Sequence, residues 1–161
     1  MLYLPTHVRV GRLLLAWCYE LLIMNCPECG SLDTLCKARF DEFLALEFTD
    51  MGYGAVHHLT VTAYMLQHSS KLTREGWFYM RELLREFLVE NKPPALIRKQ
   101  NRGLVDGGKR QFKITSRDGF PVIDKTTWIK TVLDIRVEDP KIYCADVTVW
   151  ARTVLEEASR L

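Results

Sequence analysis

The sequence predicts a mainly α, compact domain of five or six helices, with a CPxCG zinc knuckle near its N-terminal end and a basic, glycine-rich loop farther on. Three observations carry this. Apolar residues recur at three- and four-residue spacings through much of the chain after residue 34. The segment Cys26-Pro-Glu-Cys29-Gly30 has the C-x2-C form that turns two thiolates toward one ion, with a glycine that permits the tight turn. Three of the 5 cysteines and three of the 4 histidines fall between Cys26 and His68, a concentration of ligands suited to soft or borderline metals.

With 161 residues and 48% apolar content the chain can bury one substantial core but not two. A formal charge of +2 gives no strong attraction to nucleic acid or membrane from net balance alone. An odd number of cysteines, three of them within eleven positions from Cys26, suits metal ligation in a reducing compartment better than a disulfide framework, so a cytoplasmic location is expected. Zinc is the expected cofactor.

At the start of the chain, Arg9 and Arg12 precede the apolar run LLLAWCYELLIM. The run is short for a membrane span, Glu20 interrupts it, and no A-x-A-like cleavage site follows, so no membrane segment is expected. An amphipathic helix over about Gly11 to Met24 is the preferred reading. Residues 1–23 are read as an accessory helix or extension, and 24–161 as a single zinc-knuckle helical domain.

From Thr34 the pattern becomes helical. Leu35, Ala38, Phe40, Phe43, Leu44, Leu46 and Phe48 form the apolar surface, Asp33 or Thr34 is positioned to cap the start, and D-M-G-Y-G is expected to end the helix. A second helix should run from about Ala55 to Gln67, and the short connection makes the two near-antiparallel neighbours. Residues 57 and 68 are separated by about 16 Å along a helix, so they cannot share one ion unless the helix ends between them.

This constrains the metal site. Cys26, Cys29 and Cys36 converge if the knuckle folds back on the first helix, and one histidine is expected to complete the set. His57 and His58 are nearest in sequence. Antiparallel packing instead returns His68 toward Cys36 and leaves His57 and His58 beside Glu47 at the opposite end. Both placements stay open at this stage. Cys18 and Cys144 read as core thiols. Glu47, among apolar neighbours, is either a buried partner orienting a histidine or a charge reaching solvent. Its pairing with His57 is predicted, as a packing feature rather than a reactive one.

The strings CPECG, FDEFLALEF, VHHLTVTAYMLQH and EGW followed by a helix resemble a bacterial and archaeal family known as domain of unknown function 5946. The likeness runs from about Asn25 through Leu88 and more weakly into DVTVWARTVLEE, and is densest in AVHHLTVTAYMLQH. It implies that Cys26, Cys29, Glu47, His57 and His68 are the positions to test, and assigns none of them a task.

After Ser70, Thr73 should cap a helix whose face is Trp77, Met80, Leu83, Leu84, Phe87 and Leu88, ending before Asn91 and the Pro93-Pro94 pair. Arg98, Lys99, Arg102, Lys109, Arg110 and Lys113 are offset only by Asp106, which predicts a solvated loop or a weak phosphate or nucleic-acid contact. Gly103 through Lys109 match the G-x4-G-K spacing of a phosphate loop. Arg110 stands where Ser or Thr would hold magnesium, and no convincing strand precedes it. Gln111 to Thr115 reads as a short strand before an Arg117-Asp118-Gly119 turn, and Thr126 to Ile135 as a helix with Trp128, Val132 and Ile135 facing the core. A last helix from Pro140 or Lys141 toward Ala158 carries Tyr143, Val147, Trp150, Val154 and Leu155 inward.

Two classes of function fit. The first is a zinc-stabilised interaction or regulatory domain with a protein partner, contacting phosphate or nucleic acid through residues 98–113. The second is a metal-dependent enzyme, such as a hydrolase, with Glu47, His57 and His58 at its site. The chain lacks H-E-x-x-H and its adjacent histidines diverge on a helix, which favours the first class.

Overall fold

The computed structural model describes residues 25–31, 35–105, 112–119, 121–125 and 127–161, with side chains described throughout except at 103–105. Six helices lie among them: α1 (Cys36–Thr49), α2 (Met51–Gly54), α3 (His57–Gln67), α4 (Arg74–Leu88), α5 (Pro94–Val105) and α6 (Pro140–Ala158). No strand occurs among the described residues, as a mainly α chain requires. The helix expected over residues 11–24, Cys18 and the proposed caps Asp33 and Thr34 lie outside them. No described helix is long and apolar enough to cross a membrane.

The middle of the molecule is α3, packed mainly between α6 and α4. Phe43 of α1, Trp77 of α4, and Tyr143 and Trp150 of α6 are fully buried there. Each such side chain contributes about 1.5–3 kcal/mol through removal of apolar area from water. The polar edges of these rings are matched: Trp77 Nε1–H donates to the Leu66 carbonyl at 3.1 Å, and Trp150 Nε1–H donates to Gln67 Oε1 at 3.1 Å. Pairing of this kind lets large amphipathic rings be buried without an orphaned donor.

The helix ends follow local chemistry. The D-M-G-Y-G segment ends α1, as expected, and also starts a single new turn, because the Asp50 carboxylate accepts the Gly52 N–H at 2.7 Å and caps α2. Thr73 caps α4 by accepting the Gly76 N–H, and Asp139 caps α6 through the Lys141 and Ile142 N–H groups with Pro140 in the first turn. Gly76 has a second role. A Cβ there would fall 2.2 Å from the Ile114 carbonyl oxygen, so only glycine lets the 113–116 segment lie on the start of α4.

Three expectations are corrected. The Pro93-Pro94 pair ends one helix and opens another, because proline is well suited to a first helical turn, so the segment expected to be a loop from Arg98 is helical through Val105. Gly103 is therefore on a helix, preceded by a helix rather than the strand a phosphate loop needs. The strand over Gln111 to Thr115 reduces, among the described residues, to one bridge between Leu72 and Thr115. Among its described residues the 126–135 segment holds only the short turn Val132–Asp134. Its backbone groups are engaged elsewhere: the Lys130 carbonyl accepts from Gln67 Nε2 at 2.6 Å, the Ile129 N–H donates to Glu157 at 3.1 Å, and the Thr131 N–H donates to Asp134 at 2.7 Å. Those bonds compete with a helical ladder. Trp128, Val132 and Ile135 are nevertheless buried.

Candidate metal centre

Cys26-Pro-Glu-Cys29-Gly30 forms a closed turn. The Gly30 N–H donates to the Cys26 carbonyl at 2.8 Å and the Cys26 N–H to the Ser31 carbonyl at 2.9 Å. Gly30 has φ +72°, a left-handed conformation that favours glycine. The turn sets the two thiols side by side and aims them at the start of α1, where Cys36 is the first helical residue. It is also tied across the fold, because the Glu28 carboxylate accepts the Ser70 N–H at 2.7 Å, just beyond the end of α3.

His68 ends α3 and completes the group. One ligand atom each from Cys26, Cys29, Cys36 and His68 lie within 4.8 Å of one another, and all four residues are buried. A tetrahedral ion with bonds of about 2.0–2.3 Å draws its ligand atoms to within about 4 Å of one another, so small side-chain adjustments suffice. Cys29 Sγ and Cys36 Sγ are 3.3 Å apart, and the Ser31 hydroxyl lies 3.0 Å from Cys36 Sγ and 3.3 Å from Cys29 Sγ.

The state of His68 tests whether the group fits a metal. Its Nδ1–H donates to the Tyr64 carbonyl at 3.1 Å, which leaves Nε2 as the lone-pair nitrogen. The ring is held by stacking on Tyr64 at 4.0 Å, and Tyr64 in turn stacks on Phe40 at 3.8 Å. Nε2 is buried and has no hydrogen-bond partner. A backbone carbonyl that fixes the tautomer and an opposite nitrogen left bare is how metal-bound imidazoles are held.

Electrostatics point the same way. Burial pushes the Cys36 thiol up to about 12, and raises that of Cys29 as well. Burial also lowers His68, with the Tyr64 carbonyl acting in the opposite direction. Without a cation burial favours Cys29 and Cys36 as thiols and His68 as a neutral imidazole. A divalent cation reverses that preference by making thiolates the stable form.

The remaining candidates fall elsewhere. Glu47 and His57 are paired as predicted: His57 Nδ1 is 2.7 Å from Glu47 Oε2 at the far end of α3. Glu47 Oε1 also accepts from the Thr60 hydroxyl at 2.5 Å and the Tyr143 hydroxyl at 2.6 Å. His58 does not join them. It turns to the α4 side, edge-on to Phe87 at 4.6 Å, and burial lowers its pKa, with His57 and Arg98 adding to the effect. Arg98, Lys99 and Arg102 lie exposed on α5, Lys113 is exposed in the segment crossing α4, and Lys109 and Arg110 lie outside the described residues. Cys144 is half-buried with its Sγ 3.3 Å from the Gly52 carbonyl oxygen.

Sequence reasoning did not find Tyr143 and Thr60 as partners of Glu47. Thr60 stands one helical turn beyond His57, which was a usable signal. Tyr143 is 96 residues from Glu47, and its place on the inward stripe of α6 marked it only as core.

No curated protein and no solved structure matches the chain. The CPxCG turn, the AVHHLTVTAYMLQH helix and the far end of α6 all fall within residues 24–159, the span matched by the model of the family of unknown function DUF5946. The chain belongs to that family.

Proposed function

We propose that Cys26, Cys29, Cys36 and Nε2 of His68 hold one zinc ion, and that this zinc stabilises a domain whose work is interaction or regulation rather than metal chemistry. The observation that carries this reading is the bare, buried Nε2 of His68, on a residue that clusters within 4.8 Å with three buried cysteines. Three thiolates and an imidazole suit zinc among common divalent ions, and Cys3His is a frequent structural donor set. Four protein ligands leave no position for a reacting water. Zinc held in this way contributes to folding. A cytoplasmic setting, where thiols stay reduced, is consistent with it.

Element analysis of protein purified without an affinity metal tests the proposal. About one zinc per chain is expected, and X-ray absorption should show sulfur and nitrogen neighbours in a three-to-one ratio. Unchanged zinc content in the C26S/C29S double variant overturns it.

Contact with phosphate or nucleic acid is the proposed interaction, supported by the exposed Arg98, Lys99 and Arg102 on α5 with Lys113 nearby in sequence. Such contacts are weak, salt-sensitive and indifferent to base identity. Fluorescence anisotropy with single- and double-stranded probes should show weaker binding for R98Q/K99Q/R102Q than for the unaltered protein. Equal affinities reject this surface.

A further inference from the structure

The Glu47 cluster lies at the opposite end of α3 from the sulfurs and plays no part in the proposed zinc site. Its carboxylate side chain is 1% exposed, yet donors from α3 and α6 converge on it. Burying a carboxylate in a helical core is costly, and an apolar residue of similar size would commonly serve packing as well or better. Thr60 is fully buried and so is Tyr143, whose hydroxyl is held protonated by burial and by Glu47. Both therefore face inward as fixed donors to Oε1. Oε2 is left to His57 alone.

His57 differs from the other members because its side chain is 41% exposed. Nδ1 is the nitrogen turned to the buried carboxylate, so Nε2 lies on the side of the ring away from that bond. With Nδ1–H donating to the carboxylate, His57 presents the lone pair on Nε2, and the same hydrogen bond fixes the orientation of the ring toward an electrophile. Phe48, 80% exposed, has its ring 5.4 Å from the imidazole and adds an apolar surface beside it.

We propose that Glu47 and His57 form a second, metal-free site in which His57 Nε2 is a reactive base and nucleophile toward activated carbonyl compounds bearing an apolar group, with Glu47 as its positioning residue. In the acyl-accepting form of the step, Nε2 attacks the carbonyl carbon, the bond to the leaving oxygen breaks, and that oxygen departs with the electron pair. Nδ1–H remains on Glu47 throughout, and water then releases the acyl group as an acid.

Diethyl pyrocarbonate tests this directly, because unprotonated imidazole attacks its carbonyl carbon and expels ethyl carbonate, which decomposes to carbon dioxide and ethanol. Zinc-loaded full-length protein is treated at neutral pH, and modification is followed at each histidine by peptide mass spectrometry. His57 should be acylated about tenfold or more faster than His58 in the same molecule, a comparison that needs no variant. Exposure alone could produce that ratio, so E47Q and E47D are compared next. E47Q should slow acylation of His57 while leaving His58 unchanged, and E47D should restore part of the loss. A rate at His57 no greater than at His58, or a rate in folded E47Q equal to the unaltered protein, overturns the proposal. Where E47Q does not fold, nitrogen NMR of the unaltered protein takes its place: the Nδ1–H tautomer at His57 supports the proposal, and the Nε2–H tautomer overturns it.

Discussion

The two ends of α3 hold two buried polar groups built on opposite terms. At the His57 end, one carboxylate meets three donors, and every atom that is fully enclosed has a partner. At the His68 end, three buried cysteines cluster with a histidine whose Nε2 has none. A group whose donors and acceptors balance is complete as it stands, and its stability is carried by hydrogen bonds. A group composed of lone pairs and removable protons becomes stable when a cation supplies the missing charge. One helix of eleven residues thus joins a self-sufficient network to an ion-demanding one.

The strongest way to break this contrast is to remove a sulfur. C29S should lose zinc and destabilise the fold by several kcal/mol, up to about 10, because structural zinc binding is folding free energy. Zinc content and calorimetric melting should fall together, and a chelator should reproduce the effect in the unaltered protein. Next in size is E47A, which leaves the buried Thr60 and Tyr143 hydroxyls without their short-range acceptor. A loss of about 2–4 kcal/mol is expected in denaturant unfolding. Zinc content should not change at temperatures where E47A is folded, and a parallel loss of zinc would show that the two ends are not independent. Y143F removes a single donor and leaves Thr60 and His57 in place, so a cost of about 1 kcal/mol is expected.

Acid sharpens the distinction further. Zinc affinity at the sulfur end should rise with pH, since Cys29 and Cys36 are raised by burial and must release protons to bind. Competition with a chromogenic chelator across pH 6 to 8 measures it. Asp146 supplies a reference that belongs to neither group. Hydrogen bonding to Arg136 holds its carboxyl down to about 2, below its ordinary value. A depressed carboxylate adds stability above its unfolded pKa of about 3.9 that disappears as pH falls toward the folded value. Arg136 is largely exposed, so the contribution should be below about 1 kcal/mol. Melting temperatures between pH 5 and 2.5 should show a shallower acid slope for D146N.

The parts legible in the sequence were those with local causes. Pro140 marked the start of α6 within one residue, Thr73 marked that of α4, and the length of α3 was enough to separate His57 from His68. The resemblance carried by CPECG and AVHHLTVTAYMLQH is borne out by the family match. The choice between histidines was not local, because it depended on where the CPxCG turn crosses the helix pair. The Glu28 bond to Ser70, which ties that turn to the end of α3, joins residues 42 apart. Residues 128, 132 and 135 imitate helical spacing, but Gln67 and Glu157 engage the intervening backbone from other elements. Pro93-Pro94 was ambiguous in itself, since the same pair can end one helix and begin the next.

The turn Ser69–Lys71 has a consequence for motion. The Ser70 N–H is held by Glu28, the Ser69 hydroxyl accepts the Val122 N–H at 3.0 Å, and the Lys71 carbonyl accepts the Ser116 N–H at 2.9 Å. Three remote stretches of chain are therefore clasped by three successive residues immediately after His68. Deuterium should enter the amides of Ser70, Ser116 and Val122 on a common timescale, and stripping the proposed ion should hasten all three before it reaches the amides of α6, so that the sulfur cluster acts as a latch on the stretches held by the residues after His68.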